Sequence, residues 1–198
     1  MMEIQYDIFI KGNLIDLVCL NESIALNSNW YNWFNDEENM YNMQKHYFPS
    51  TRESQVNFFR TVINNSATML QVGIFHKKDQ ILIGVISLSK IDYLNRKCEI
   101  SGFIGEKKYQ NIQNFLEANR LLICHAFEQL NMNRIYGGAI KNEIAELYLR
   151  SLGFTREGLL VEDVYKNGMY NDVHLIAISQ KRYNEFFKKN DDKTNEFS

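Results

Sequence analysis

The sequence predicts an α/β (α+β) domain: a central mixed, mostly antiparallel sheet of about seven strands, flanked by helices. Short runs alternating apolar and polar residues, broken by turn residues, fill much of the chain before Ile104 and after Gly153. Between Glu99 and Gly158 the order is instead strand, polar loop, long amphipathic helix, strand, helix. Near the end, Lys166-Asn167-Gly168 separates two alternating runs, and Asn-Gly is a strong hairpin signal. A single domain is expected, because 198 residues hold one sizeable core and no low-complexity linker interrupts them.

The elements follow in order. Ile4–Ile10 and Leu14–Leu20 read as strands around a Lys11-Gly12-Asn13 turn. Ser28–Glu38 reads as a short aromatic helix. Thr51–Asn64 reads as another, starting just after Pro49 with Thr51 and Ser54 as caps. Three strands come next, Ala67–His76, Gln80–Ile91 and Arg96–Ile104, joined by turns at residues 77–80 and 93–95. Phe115–Leu130 carries a broad helical apolar stripe, suited to lying on a sheet. Arg134–Ile140 is a strand, and Ile144–Leu152 a helix that Gly153 ends in a left-handed cap. The hairpin strands are Phe154–Tyr165 and Met169–Ser179, and Tyr183–Lys188 is a last short helix. The domain thus spans 1–188, and the polar residues 189–198 are expected to be disordered.

Bulk properties narrow the function classes. A formal charge of −2, with no arginine- or lysine-rich run, gives no electrostatic case for nucleic acid. No apolar run is long enough to span a bilayer, and the N-terminus lacks the pattern of a signal peptide. Cys19, Cys98 and Cys124 form no C-x-x-C pair and have no metal-ligand neighbours at useful spacing, so they read as small buried hydrophobes in a reducing compartment. A cytoplasmic protein without a metal is the expectation.

The segment from Glu99 onward carries the chemistry. A strand that passes through a polar turn into a helix can offer free backbone N–H groups to a phosphate. A second strand beside the first can form a cleft for the rest of a nucleotide-like cofactor. Three phrases then carry a family resemblance. W-x-N-D-x-E occurs as Trp33, Asn35, Asp36 and Glu38. N-E-x-A followed by L-G-F-x-x-E-G occurs as Asn142, Glu143, Ala145, Leu152, Gly153, Phe154, Glu157 and Gly158. N-G-x-Y-x-D-V occurs as Asn167, Gly168, Tyr170, Asp172 and Val173. Together they resemble the GNAT N-acetyltransferases, in particular the RimJ/RimL-like branch, over about residues 10–185.

The resemblance implies a GNAT domain that takes acetyl-CoA as co-substrate. Cofactor contacts are implied from Phe103 and Ile104 on the central strand, from the loop residues Gln110, Asn111, Ile112, Gln113, Asn114 and Phe115, and from Asn142. It also implies direct transfer to a primary amine within a ternary complex. An amino sugar or nucleotide-linked amino sugar is the expected small-molecule acceptor, ahead of a protein N-terminus. The family's loop pattern is Q/R-x-x-G-x-G/A, and here Gln113 and Phe115 replace the glycine and the small residue. Glycine allows close approach of backbone to phosphate, so this loop departs from the pattern where it matters.

Within this frame Glu99 is the candidate general base, or a strand-end carboxylate paired with Arg96 or Lys97. Tyr148 is the candidate acid for the thiolate, although the family's tyrosine would align with Leu149, about 100° away around a helix. Ser101-Gly102 is the expected strand irregularity that frees amides for the cofactor. Trp30, His46 and Tyr47, within an aromatic group that includes Trp33, Tyr41 and Phe48, are the candidate acceptor wall. Asp172 and Tyr170 are expected to position the last hairpin. A homodimer stays open. The alternative is a non-catalytic GNAT-fold binding module that has lost CoA.

Overall fold

The computed structural model describes residues 4–41 and 48–188. The sequence-predicted acceptor residues His46 and Tyr47 and the tail from residue 189 lie outside that range.

Eight strands form one sheet among the described residues. They are β1 (Ile8–Ile10), β2 (Ile15–Cys19), β3 (Leu70–His76), β4 (Ile81–Asp92), β5 (Lys97–Ile104), β6 (Arg134–Ala139), β7 (Thr155–Lys166) and β8 (Met169–Ser179), in the order β1-β2-β3-β4-β5-β6-β8-β7. The total is one more than the expected count of about seven, and each of the eight alternating runs read from the sequence forms a strand, the first shortened to Ile8–Ile10 and paired with β2. Only β5 and β6 run parallel; every other neighbouring pair is antiparallel. Parallel neighbours need a crossover, and a helix supplies it here.

The helices are α1 (Glu22–Asn27), α2 (Trp30–Trp33), α3 (Glu37–Tyr41), α4 (Arg52–Phe58), α5 (Ile112–Glu128), α6 (Asn142–Leu152) and α7 (Gln180–Tyr183). Short wider turns extend α4 through Ile63 and α7 through Lys188. Sequence reading missed α1, which Asn21 caps by accepting from the Ile24 N–H at 2.8 Å. The expected helix 28–38 divides into α2 and α3, because Asp36 turns back to accept the Asn39 N–H at 3.0 Å and starts a new helix. At α4 the expected caps form a reciprocal box: Thr51 Oγ1 accepts from the Ser54 N–H, and Ser54 Oγ from the Thr51 N–H. Gly153 ends α6 at φ +73°, and a Cβ there would also meet the Phe186 ring at 2.6 Å.

Two apolar clusters hold the sheet. On one face, Ala118, Leu122, Ile123 and Ala126 of α5 pack on Cys98, Ile100 and Ile135 of the central strands. On the other, Trp30, Trp33 and Phe59 pack on Val18, Phe75 and Val85. Alternation along β5 joins the two: Cys98, Ile100 and Ile104 enter the α5 cluster, while Phe103 faces Trp33 and Phe34 at ring separations of 6.1 and 5.5 Å. Just beyond β5, Gly105 lies so close under Trp33 that a Cβ would sit 2.1 Å from the indole.

Candidate active site

The site begins where two strands separate. β5 and β6 pair only through Lys97–Arg134, Cys98–Ile135 and Glu99–Tyr136. Past that point β5 keeps its ladder with β4 without interruption as far as Gly84–Ile104, but its other edge has no strand partner among the described residues. The expected irregularity at Ser101-Gly102 is therefore absent from the β4 side. The register shift falls on β4, between Ser89 and Asp92, and the β5 amides are freed by divergence of β6. Beside this split lies an open cleft of about 1620 Å³. Phe103, Ile104, Gln110, Asn111, Ile112 and Phe115 line it from the β5 side, and Gly137 through Lys141 from the β6 side.

The glycine-poor loop is the start of a helix rather than a separate turn. Asn111 is its cap, with Oδ1 accepting the Asn114 N–H at 2.9 Å. The Phe115 N–H goes to the Asn111 carbonyl and the Asn111 N–H to Tyr109. This leaves the amides of Ile112 and Gln113 as the first-turn donors available to an anion. Gln113 and Asn114 do not line the cleft. Gln113 is exposed, and Asn114 is buried, its side chain donating to the Tyr109 carbonyl at 3.0 Å. The side chains expected to contact the cofactor at these two positions therefore do not face the cleft. Asn142 also lies off the cleft lining, with Oδ1 accepting from Arg156 Nη2 at 2.7 Å.

The W-x-N-D-x-E phrase acquires a physical meaning in the segment that follows β5. Trp33 Nε1 and Asn29 Nδ2 both donate to Glu106 Oε1, at 2.9 and 2.8 Å. Lys107 Nζ stands 3.0 Å from Asp36 and 2.9 Å from Glu38. Asn39 Nδ2 donates to the Gly105 carbonyl, and Gln110 Nε2 donates to both Asn39 Oδ1 and the Ile104 carbonyl. The Asn39 N–H first, and Lys107 second, hold the Asp36 carboxyl below the usual range. Helices α2 and α3 are therefore bolted to the loop that leads into α5. Asn39, next to the phrase, was the signal sequence reading passed over.

Glu99 lines the cleft at the point where the strands part. Neither Arg96 nor Lys97 is its partner. Lys90 of β4 reaches across to it, Nζ to Oε2 at 2.7 Å, while Arg96 bonds Asn131. The hydrogen bond to Glu99, then its charge, raises the Lys90 pKa. Burial first, and Glu99 second, raises that of Tyr136 on the adjoining strand. Ser101, two residues along the same face, lies 3.1 Å from the Ser87 hydroxyl. Tyr148 stands at the back of the cleft, only 7% exposed, between Phe115 and Phe154. Its hydroxyl donates to Asn119 Oδ1 at 2.7 Å, and burial pushes its pKa well up.

Trp30 is fully buried in the second cluster, away from the cleft, so its expected place on an acceptor wall is corrected to the core. Trp33 is likewise core. Asp172 accepts the Glu162 N–H at 2.8 Å across the last hairpin and fixes a bulge there, as its expected positioning role requires. Cys98 is buried, which pushes its thiol up to about 12 and keeps it protonated; no cysteine is in a disulfide. Among the described residues no cluster of three metal-ligating side chains occurs, and no helix is long and apolar enough to cross a membrane.

Comparison with known proteins agrees with this geometry. The family model of the acetyltransferase (GNAT) domain matches residues 26–155. A putative ribosomal N-acetyltransferase, YdaF, of Bacillus subtilis (strain 168) is 34% identical over 106 residues, which is 53% of this chain and 57% of that protein. The spermidine N(1)-acetyltransferase of Vibrio cholerae is 36% identical over 104 residues, 52% of this chain and 59% of that one. The chain therefore spans under 60% of the length of these curated relatives. In fold, a crystal structure of spermidine N-acetyltransferase from Vibrio cholerae in complex with CoA and spermine superposes with a TM-score of 0.77 at 22% identity, covering 86% of this chain and 98% of that one. With the parted strands, the helix start beside them and a family model over residues 26–155, the chain belongs to the GNAT acetyltransferase family.

Proposed function

We propose that the chain is an acetyl-CoA-dependent N-acetyltransferase that moves an acetyl group to a small primary amine by direct transfer. The observation that carries this reading is the divergence of β6 from β5 after Glu99–Tyr136, which leaves a strand edge open to a cleft beside the start of α5. Acetyl-CoA supplies the thioester. The open edge of residues 100–104 offers backbone groups to the pantetheine arm, and its N–H groups are the donors for charge that develops on the acetyl oxygen. The amides of Ile112 and Gln113 receive the pyrophosphate. Glu99 takes a proton from the acceptor amine, directly or through water. The thiolate is protonated from solvent, since the Tyr148 hydroxyl is committed to Asn119.

Charge in the cleft favours a cationic acceptor. Asp36, Glu37, Glu38, Glu99 and Glu143 outnumber Lys90, Lys107 and Lys141 along its lining. That balance suits a cationic acceptor such as a free amino sugar or a polyamine. A non-catalytic reading draws on one observation: Asn111 occupies an amide that a phosphate would otherwise take, beside a phenylalanine where the family has a small residue.

Calorimetric titration with CoA and acetyl-CoA, followed by a thiol-release assay over glucosamine, spermidine and a peptide bearing a free N-terminus, separates the two. Binding together with amine-dependent thiol release supports the enzyme. Absence of CoA binding leaves the non-catalytic module.

A further inference from the structure

Among the described residues Lys90 is the basic side chain paired with the candidate base, and its placement is unusual. It lies within the register shift of β4, between Ser89 and Asp92, with φ +50°, a left-handed conformation that lysine rarely adopts. Such a backbone beside a reacting centre is an observation from which function can be argued. The side chain is 69% exposed, yet its ammonium is held 2.7 Å from a Glu99 oxygen on the cleft wall. An acceptor amine in position to lose a proton to Glu99 needs that same carboxylate. Resting on the reading above, we propose that Lys90 is a built-in competitor that sets the acceptor KM: its ammonium stands in for the acceptor's own and must be displaced before the amine can engage Glu99.

The chemistry follows from the competition. Lys90 stays protonated through the neutral range, so its claim on Glu99 does not fade at working pH. The cost of displacing it is common to every amine that engages Glu99, so Lys90 raises the KM of such acceptors by one shared factor. Tyr136, on the far side of Glu99, carries no positive charge and does not share this role.

The test uses the full chain with Lys90→Met and Lys90→Arg, assayed with n-propylamine and spermidine at saturating acetyl-CoA. In Lys90→Met the KM values for n-propylamine and for spermidine are both expected to fall, by about two- to fivefold, with kcat changed little; that is the step that loss of one exposed charge pair gives. Lys90→Arg, which keeps the charge, is expected to behave like the native protein. The proposal is overturned if Lys90→Met leaves both KM values unchanged or raises them, or if Lys90→Arg reproduces Lys90→Met. Calorimetric titration of n-propylamine into the CoA-loaded proteins provides a readout that does not need turnover. If none of the proteins transfers acetyl, the enzymatic reading fails, while tighter amine binding by Lys90→Met still upholds the competition and equal binding ends it.

Discussion

At the scale of single residues, the carboxylate at the strand split and the tyrosine behind it invite opposite expectations. Glu99→Gln keeps the shape of the side chain and removes its basicity. Transfer is expected to slow roughly 10²–10⁴-fold while acetyl-CoA affinity stays near native, since backbone groups hold the cofactor. Turnover at the native rate on a good acceptor would reduce Glu99 to a partner of Lys90. Tyr148→Phe removes the donor to Asn119 and leaves a buried oxygen unpaired. Stability is expected to drop by about 1–3 kcal/mol in chemical denaturation, with transfer largely intact. A rate loss of roughly 10²-fold without loss of stability would instead assign Tyr148 the role of acid. The sequence placed Tyr148 one residue from the family's position, and the structure shows what that rotation does: the ring enters the core. The partner of Glu99 was not legible, because Lys90 lies nine residues away on an antiparallel neighbour and comes near only through pairing of β4 with β5.

At the scale of elements, most of the helix ends were written in the chain. Thr51, Gly153 and the Asn167-Gly168 turn each act where local chemistry says they should. The parting of β5 and β6 was not readable, because it depends on where α5 and α6 direct the strand between them, and no local pattern records that. The start of α5 joins the two kinds of information. Its cap is local, yet the cap competes with any phosphate for the Asn114 amide. Asn111→Ala is expected to lower stability by about 1 kcal/mol through loss of the cap. The same change is expected to tighten CoA binding, because one more amide is released to the anion. Paired melts and titrations check both signs, and weaker CoA binding in the variant would mean that Asn111 itself contacts the ligand.

At the scale of the whole molecule, acid should weaken the fold in two stages. Burial lowers the pKa of His125, which sits in the last turn of α5 against Phe9. Its neutral form belongs to the folded state, so its contribution is complete above the ordinary value of 6.5 and is lost as pH falls toward the depressed folded one. The carboxyls of Asp36, Glu146 and Glu157 are lowered as well, each first by a hydrogen bond: from Asn39, Arg156 and Arg134. They add stability above about pH 4.5 that is lost below it. Thermal melts between about pH 7.5 and 3 should therefore show a shallow decline and then a steeper one. His125→Gln should remove only the first, and a native-like shallow decline in that variant would locate it elsewhere.

The bonds from Trp33, Asn29, Asn39, Asp36 and Glu38 to residues 105–110 have a thermodynamic corollary. If CoA acts on the start of α5 and the acceptor lies beside α2 and α3, these bonds link the two sites, and free-energy conservation makes the link mutual. If CoA raises acceptor affinity by some factor, the acceptor must raise CoA affinity by the same factor. Couplings of this kind commonly amount to about 5–150-fold. Asn39 is the joint in the chain of contacts, accepting from Gln110 and donating to Gly105. Closing a four-titration cycle for spermidine and CoA should give equal factors on both sides in the native protein. In Asn39→Ala both factors should shrink together toward one; a native-sized factor there would show that the two substrates communicate by another route.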